Sequence, residues 1–301
     1  MSGKERILEV LKKHGDVYES ELYKLAGLSK SRTAEILKDL EKEGLIRKYT
    51  VLGKNKKVSL VRERFLRIGI IKAAEYPFVI PFAKKLKENN IDSEIVIYNN
   101  GLQLTKDIVN GKIDLGFSPV IAQIFFSKVF GLEIIAGGAK GGAGIIGNCT
   151  DIIGSTELSS MELWTLMSVK DSEIVHFDSP EELINALQTG KVNSISIWEP
   201  YYSILARQGK FKIKQPFEPF HCCTLGMRKE LVEIKDKIKR IYEDSFTWFK
   251  ESKDRWISDY SKLLNIDYNI LKESANNYEF DSYFNLKETL KTLQKTNVYI
   301  P

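Results

Sequence analysis

Residues 28–49 read LSKSRTAEILKDLEKEGLIRKY. Within this stretch Thr33, Ile36, Leu37 and Leu40 recur at helical spacing, which predicts an amphipathic helix with one buried side. Ser29 or Ser31 can cap its start, because a serine oxygen accepts a hydrogen bond from an otherwise unpaired first-turn amide. The helix runs to Glu43, and Gly44 stops it. Upstream, Ile7, Leu8 and Leu11 form the stripe of a first helix, which His14-Gly15-Asp16 ends with glycine in a left-handed cap. Glu19 to Ala26 is a second short helix with Leu22, Leu25 and Ala26 turned inward; Gly27 supplies the tight turn and Leu28 plugs the angle. Downstream, Ile46–Val51 and Lys57–Val61 are two short strands around a turn at Leu52-Gly53-Lys54-Asn55-Lys56. Three helices followed by a hairpin describe an α+β winged helix-turn-helix over residues 1–64.

Charge is divided unevenly between this head and the rest. Residues 1–64 hold 16 Lys+Arg against 10 Asp+Glu, a net of +6, and the remainder holds 29 against 30, a net of −1. The whole excess of +5 therefore resides in the head. A basic segment on a neutral body is the electrostatic footprint of a polyanion partner. The start of the third helix presents Ser29, Lys30, Ser31, Arg32 and Thr33, with Lys38 one turn on, and in this motif that turn enters the major groove. Arg32 is the candidate for a bidentate contact to guanine, worth ~1–3 kcal/mol of discrimination. Lys54, Lys56 and Lys57 on the wing are placed for phosphate or minor-groove contact. The competing reading is a winged helix that binds protein, with a solvated lysine-rich loop. LSKSRTAEILKDLEKEGLIRKY resembles the MarR-like and archaeal winged-helix repressor families. Double-stranded DNA is the partner that this resemblance implies, and pairing to match two half-sites makes a homodimer the expected assembly.

Beyond residue 64 no flexible linker is legible, and strands alternate with helices. Strands are expected at Phe65–Ile71, Glu94–Tyr98, Ile113–Phe117 and Leu132–Ala136, with helices at Phe78–Asn89, Leu102–Asn110 and Val120–Val129 between them. That order predicts a parallel α/β sheet. GGAKGGAGIIG, residues 137–147, reads as a loop; it lacks the GK[ST] ending of a phosphate-binding Walker loop. A second α/β unit follows, with strands at Cys149–Ile153, Ile174–Phe177 and Ser194–Ile197 and helices at Ser160–Ser168, Pro180–Thr189 and Tyr201–Gln208. Cys222–Met227 is a return strand, and the remainder after Arg228 is mostly helical.

The segments LKENNIDSEIVIYNNGLQLTKDIVNGKIDLGFSPV and SPEELINALQTGKVNSISIWEPYYS resemble the type II periplasmic-binding-protein fold. The nearest likeness is to substrate-binding proteins for sulfonates, nitrate and thiamine pyrimidine precursors. The resemblance implies a two-lobed ligand-sensing domain over 65–301. One lobe comprises about 65–148 plus 224–301, the other about 149–223, and a small-molecule effector sits between them. Ligands of open α/β sheets bind beyond the carboxyl ends of strands and at helix starts. The candidates are Glu75, Tyr76, Asn100, Ser118, Gly138 and Lys140 from the first lobe, with Ser155, Thr156, Trp198 and Glu199 from the second. His221 and Cys222 lie at the return crossing. Tyr76 and Trp198 are equally open to a reading as packing aromatics, Asn100 as a cap, and His221 as a core hydrogen-bonder. Carboxylates among these positions favour an amino-bearing or aromatic metabolite over a simple dianion.

No apolar run is long enough to span a bilayer, and the charged start MSGKERILEVLKKHG is unlike a signal peptide, so a cytoplasmic location without membrane contact is expected. Three cysteines, Cys149, Cys222 and Cys223, give no disulfide framework and match no zinc-site spacing, so no metal or cofactor is expected. These features point to a ligand-responsive one-component transcription regulator, not an enzyme. Two alternatives stand beside it. Fungal thiamine-pyrimidine synthases share the sensor fold and carry cysteines near the return strand, where this chain has His221-Cys222-Cys223. The other alternative is a DNA-binding adaptor with a vestigial cleft.

Overall fold

The computed structural model describes residues 2–50, 56–60 and 64–294. It divides into two compact units, residues 1–65 with 84–93, and residues 66–83 with 94–301.

In the head, α1 (Gly3–His14) starts with a capping box: the Ser2 hydroxyl accepts from the Glu5 amide, and the Glu5 carboxylate accepts from the Ser2 amide. Gly15 ends it with φ 72° and ψ −136°, a positive φ but not the expected left-handed helical cap. Its extended ψ sends the chain directly into β1 (Val17–Tyr18), a strand not expected from the sequence. Next come α2 (Glu19–Leu25) and α3 (Lys30–Lys42), then β2 (Ile46–Thr50) and β3 (Lys56–Leu60). The three strands pair antiparallel in the order β1-β3-β2. Ile7, Leu11, Leu22, Ile36, Leu37 and Leu40 close one core with Ile46, Val58 and Leu60. Each such buried aliphatic contributes about 1.5–3 kcal/mol. Leu25 departs from expectation and is 48% exposed. With α2 only seven residues long, Leu22 and Ala26 take its inward side and Leu25 falls at the edge. The wing turn, including Lys54, lies outside the described residues, as do Val51 and 61–63 at the strand ends.

The body begins with β4 (Arg64–Ile71), α4 (Val79–Glu88), β5 (Ile91–Tyr98), α5 (Gly101–Val109), β6 (Leu115–Pro119), α6 (Val120–Phe130) and β7 (Glu133–Gly141). It continues through β8 (Ala143–Gly147), β9 (Ile152–Ser155), α7 (Ser160–Ser168), β10 (Glu173–His176), α8 (Pro180–Gln188), β11 (Ser194–Trp198), α9 (Tyr201–Arg207) and β12 (Ile213–Pro216). The final part holds β13 (His221–Met227), a 3-10 turn over Lys229–Ile234, α10 (Lys235–Glu251), α11 (Lys253–Leu264), α12 (Tyr268–Ala275), β14 (Tyr278–Asp281) and α13 (Leu286–Gln294).

Two sheets result, β14-β7-β13-β6-β4-β5 and β10-β9-β11-β8-β12. Both are mixed, not purely parallel. β13 runs antiparallel to β6 and β7, and β8 runs antiparallel to β11 and β12. Strands that cross from one sheet to the other enter against the local direction, which is why the alternating pattern misled. The chain changes sheet at Gly142 and returns between Pro216 and His221, rather than near 148 and 223.

The glycine cluster is therefore strand, not loop. Only Gly142 separates β7 from β8. A Cβ there would lie 2.1 Å from the Tyr278 ring, and one on Gly144 would lie 2.5 Å from the Gln215 carbonyl. Close approach by neighbouring chain, not by a ligand, explains the small residues at these two positions.

Candidate functional site

In the head, Ser29 is the N-cap of α3, its hydroxyl accepting from the Arg32 amide at 3.3 Å. Ser29, Lys30, Ser31, Arg32 and Lys38 are exposed, as is Lys56 on β3, while Lys57 is half-buried. The Lys30 ammonium stands 5.2 Å from the Tyr23 ring centroid, and that of Lys57 stands 4.9 Å from Tyr18. Arg32 donates from Nη1 to Glu35 at 2.7 Å, so the guanidinium is held along its own helix. Thr33 is the exception among the six candidates of this helix. It is buried, with its hydroxyl lacking a hydrogen-bond partner, because it sits on the stripe that includes Ile36, Leu37 and Leu40. Its place is in the core, not at a groove.

In the body, the loop after β4 carries Ala73, Ala74, Glu75 and Tyr76, and it is fixed from several sides. The Tyr260 hydroxyl of α11 donates to the Ala73 carbonyl at 2.8 Å, and the Ala74 amide donates to the Glu199 carbonyl at 2.9 Å. Tyr76 packs 5.8 Å from Phe117, within an aromatic cluster that joins Phe78, Tyr242, Phe246 and Phe249. Packed tilted and edge-to-face rings of this kind exclude water and hold the loop in place.

Against this loop lies a cavity lined by Glu75, Tyr76, Gly101, Pro119, Thr156, Ser159, Ser160, Trp198, Cys222 and Cys223, with Ile71, Ala73 and Met161 completing the wall. It lies between the two sheets: β4, β6 and β13 supply one side, and the ends of β9 and β11 with the start of α7 supply the other. Its free volume is about 30 Å³. That holds a water molecule or a single ion, not a metabolite.

Cross-sheet hydrogen bonds keep it shut. Trp198 Nε1 donates to the Lys72 carbonyl at 3.0 Å, Ser160 Oγ to the Cys222 carbonyl at 2.5 Å, and Asn100 Nδ2 to the Asp178 carbonyl at 3.3 Å.

The cavity's polar side is a cluster of acids. Burial pushes the Glu75 carboxyl up to about 8, against the pull of Tyr76, Cys222 and Cys223 around it. Burial likewise raises the Cys223 thiol and the Tyr76 phenol well above their ordinary ranges. Cys223 pulls the Cys222 thiol down, but burial and Glu75 leave it raised overall. All four groups are uncharged at neutral pH, as a dry pocket without a counter-charge requires.

The sequence-derived candidates scatter. Glu75, Tyr76, Thr156, Trp198 and Cys222 line this cavity. Asn100 instead caps α5, accepting from the Gln103 amide at 2.9 Å. Ser118 bonds Thr105 and Gln123, each at 2.9 Å, inside the sheet. Ser155 pairs with Ser196 at 2.9 Å. Glu199 accepts from Ser203 at 2.6 Å and from Asn277 at 2.7 Å. Each of these groups is occupied by a neighbour in the chain.

Lys140 and His221 line a different cavity together with Glu279 and Asp281. Lys140 pairs with Asp281 at 2.7 Å and with Glu279 at 3.4 Å, and burial, with help from Lys140, lowers the His221 pKa. Gly138 is a strand residue of β7 opposite Asp281. The expected glycine loop put Gly138 and Lys140 in the cleft, whereas both lie on a continuous β7, and His221, expected at the return crossing, lies beside Lys140 on β13.

Sequence reasoning missed Cys223, Ser159 and Ser160. In a regular strand Cys223 faces opposite to Cys222, but β13 slips register against β7 on both sides of Cys223. Such a bulge re-aims a side chain, and no local sequence signal announces it.

The MarR family model matches residues 4–52, so the head is a MarR-family helix-turn-helix domain. The body has the fold of the type II periplasmic binding proteins. Over 78% of this chain and 91% of the other, it is similar to the alkanesulfonate-binding protein SsuA from Xanthomonas axonopodis pv. citri bound to MOPS, with TM-score 0.64 and 15% identity. The protein AF1704 from Archaeoglobus fulgidus aligns over 77% of this chain and 96% of its own, with TM-score 0.60 and 16% identity. The Candida albicans CA3427 gene product, described as having the generic periplasmic binding protein fold, aligns over 79% and 91%, with TM-score 0.62 and 13% identity. None of the curated proteins matches the chain's sequence. Among the described residues, no helix is long and apolar enough to cross a membrane.

Proposed function

We propose that the chain is a one-component transcription regulator: the head grips duplex DNA, and the body senses a small effector bound between its lobes. The observation that carries this reading is the union, in one chain, of a MarR-family domain and a two-lobed cleft body. The exposed cations Lys30, Arg32 and Lys38 at and beyond the start of α3 supply phosphate neutralisation and base contact. Because the cleft is shut to about 30 Å³, any effector larger than an ion binds only after the lobes part. An open–closed equilibrium of that kind is a two-state element that an effector biases by its differential affinity. The regulator acts in the cytoplasm, as a homodimer whose two heads meet two half-sites.

Native mass spectrometry of the purified full chain tests assembly and occupancy together. A dimer, with a co-purified effector that is lost on denaturation, supports the reading. A monomer that stays monomeric on a palindromic duplex contradicts it. Thermal shift against a metabolite panel then separates a sensor from an adaptor, because a ligand that prefers the folded state raises the midpoint.

A further inference from the structure

The residues Glu75, Cys222 and Cys223 offer three ligand atoms that all lie within 4.8 Å of one another. All three side chains are buried, at 2%, 8% and 1% exposure. The two sulfurs stand 3.6 Å apart. Two thiolates on one tetrahedral zinc, each at ~2.3 Å, lie about 3.8 Å apart, so the sulfurs already have the spacing of a shared ion. A carboxylate oxygen on the same ion lies about 3.5 Å from each sulfur, a shift of up to about 1.3 Å from the present spread of 4.8 Å. A second observation points into the same space: Glu75 Oε1 and the Tyr76 hydroxyl are buried without a hydrogen-bond partner, and both residues line the cavity. Most buried polar atoms find a partner, and among those here that do not, such as the Thr33 hydroxyl, these two stand on adjacent residues that line one void, where an ion would meet both. The void, about 30 Å³, suits a single ion.

We propose that Glu75, Cys222 and Cys223 bind one thiophilic divalent cation, with Zn²⁺ as the reference ion and the Tyr76 hydroxyl or a water as the fourth ligand. We also propose that this ion is the effector of the regulator, a step that rests on the function proposed above. On binding, two thiols and one carboxyl each give up a proton to solvent. The resulting centre carries +2 − 3, a net charge of −1. The starts of α5 and α7, at Gly101 and Ser160, line the same cavity, and the positive ends of helices favour that charge. A thiolate pair selects soft or borderline ions over Mg²⁺ or Ca²⁺. All of these ligands belong to one lobe, on β13 and the loop after β4, so the ion acts on closure only through the Ser160–Cys222 contact that crosses the cleft beside it.

The test uses the full-length, chelator-stripped protein titrated with Cd²⁺ and read by thiolate-to-metal ultraviolet absorption. Duplex affinity is measured in parallel with and without Zn²⁺. The proposal expects saturation at one Cd²⁺ per chain with the band intensity of two thiolates. C222S and C223S should each remove half the band and weaken binding by more than about 10-fold, and E75Q should weaken binding to the same degree. C149S serves as the control thiol and keeps the full band. A band that is absent, or unchanged in C222S and C223S, overturns the site. Should those variants fail to fold, a wild-type band worth fewer than two thiolates overturns it equally. A normal band with Zn²⁺-independent duplex affinity overturns the effector role alone. Loss of duplex binding in both conditions overturns the regulator reading instead.

Discussion

Trp198 donates its indole Nε1 to the main-chain carbonyl of Lys72 at 3.0 Å, a bond that joins the end of β11 in one sheet to the loop after β4 in the other. The two sheets are thus latched through side chains that reach across the cleft, and the same latch leaves only an ion-sized space beside Glu75. Opening exchanges this bond for water at both ends, so its net worth is modest, about 1 kcal/mol. That is the right scale for a switch, which needs two states separated by only a few kcal/mol.

Replacing Trp198 by phenylalanine keeps the aromatic wall and deletes the bond. The closed-to-open ratio should fall by about 5-fold, in line with ~1 kcal/mol. Small-angle scattering of the full chain reads this as a larger radius of gyration, and an unchanged radius with unchanged protection of the Ala74 amide, which bonds the Glu199 carbonyl across the cleft, counts against the latch.

Arg32 is paired with Glu35 on α3. Arg32→Ala should lower operator affinity by about 10-fold and relax preference at one base pair. Glu35→Gln, which frees the guanidinium from an exposed pair worth ~0.2–1 kcal/mol, should strengthen binding by about 2–5-fold. Lys38→Ala should weaken all sequences alike and reduce the salt slope by about 1. Competition binding with single-base operator variants distinguishes the three effects.

Glu75 gives the metal-free protein a distinctive pH dependence. Its native carboxyl, raised by burial to about 8 from an ordinary 4.5, holds a proton that the unfolded chain has released. Stability contributed by this group is full below about 4.5 and is lost as pH rises towards 8, by about 5 kcal/mol in total. The facing Tyr76, Cys222 and Cys223 stay protonated through that window, because their pKa values are raised. With chelator present, urea unfolding at pH 5 and pH 8 should show this loss in the wild type and a flattened profile in Glu75→Gln. Equal profiles for the two proteins would refute the assignment.

Gln123 of α6 is a structural keystone rather than a ligand contact. Its amide donates to the Thr224 carbonyl at 2.6 Å and to the Ser118 hydroxyl at 2.9 Å, and its oxygen accepts from Thr224 Oγ1 at 2.8 Å. Gln123→Ala leaves these buried groups unmet and should cost about 2–4 kcal/mol in chemical denaturation. Duplex binding by the folded fraction should be unaffected.

Much of this was legible in the sequence because local signals and burial agree. Ser29 caps α3, and Thr33, Ile36, Leu37 and Leu40 face the head's core, as their spacing requires. Thr33 itself shows the limit of a motif: position near a helix start suggested a groove contact, while the helical period correctly placed it inside. In the body, strand and helix order was readable from periodicity, but sheet direction was not, because β13 and β8 return from across the molecule. The cleft was half readable. Glu75, Tyr76 and Trp198 follow from the ends of strands, whereas Lys140 and Gly138 were displaced once the glycine cluster proved to be strand. The pairing of Cys222 with Cys223 on one side depends on a slip in register, a tertiary event without a sequence mark.

The regulator reading stands or falls on the cationic head binding duplex DNA. Fluorescence anisotropy of the full chain on a labelled fragment of its own promoter, repeated across a salt series, tests it most directly. The observed affinity should fall linearly on a log–log plot with a slope steeper than about −3, and the K30A/R32A double variant should show a shallower slope. Salt-independent binding, or no retention of the fragment at low salt, would contradict it.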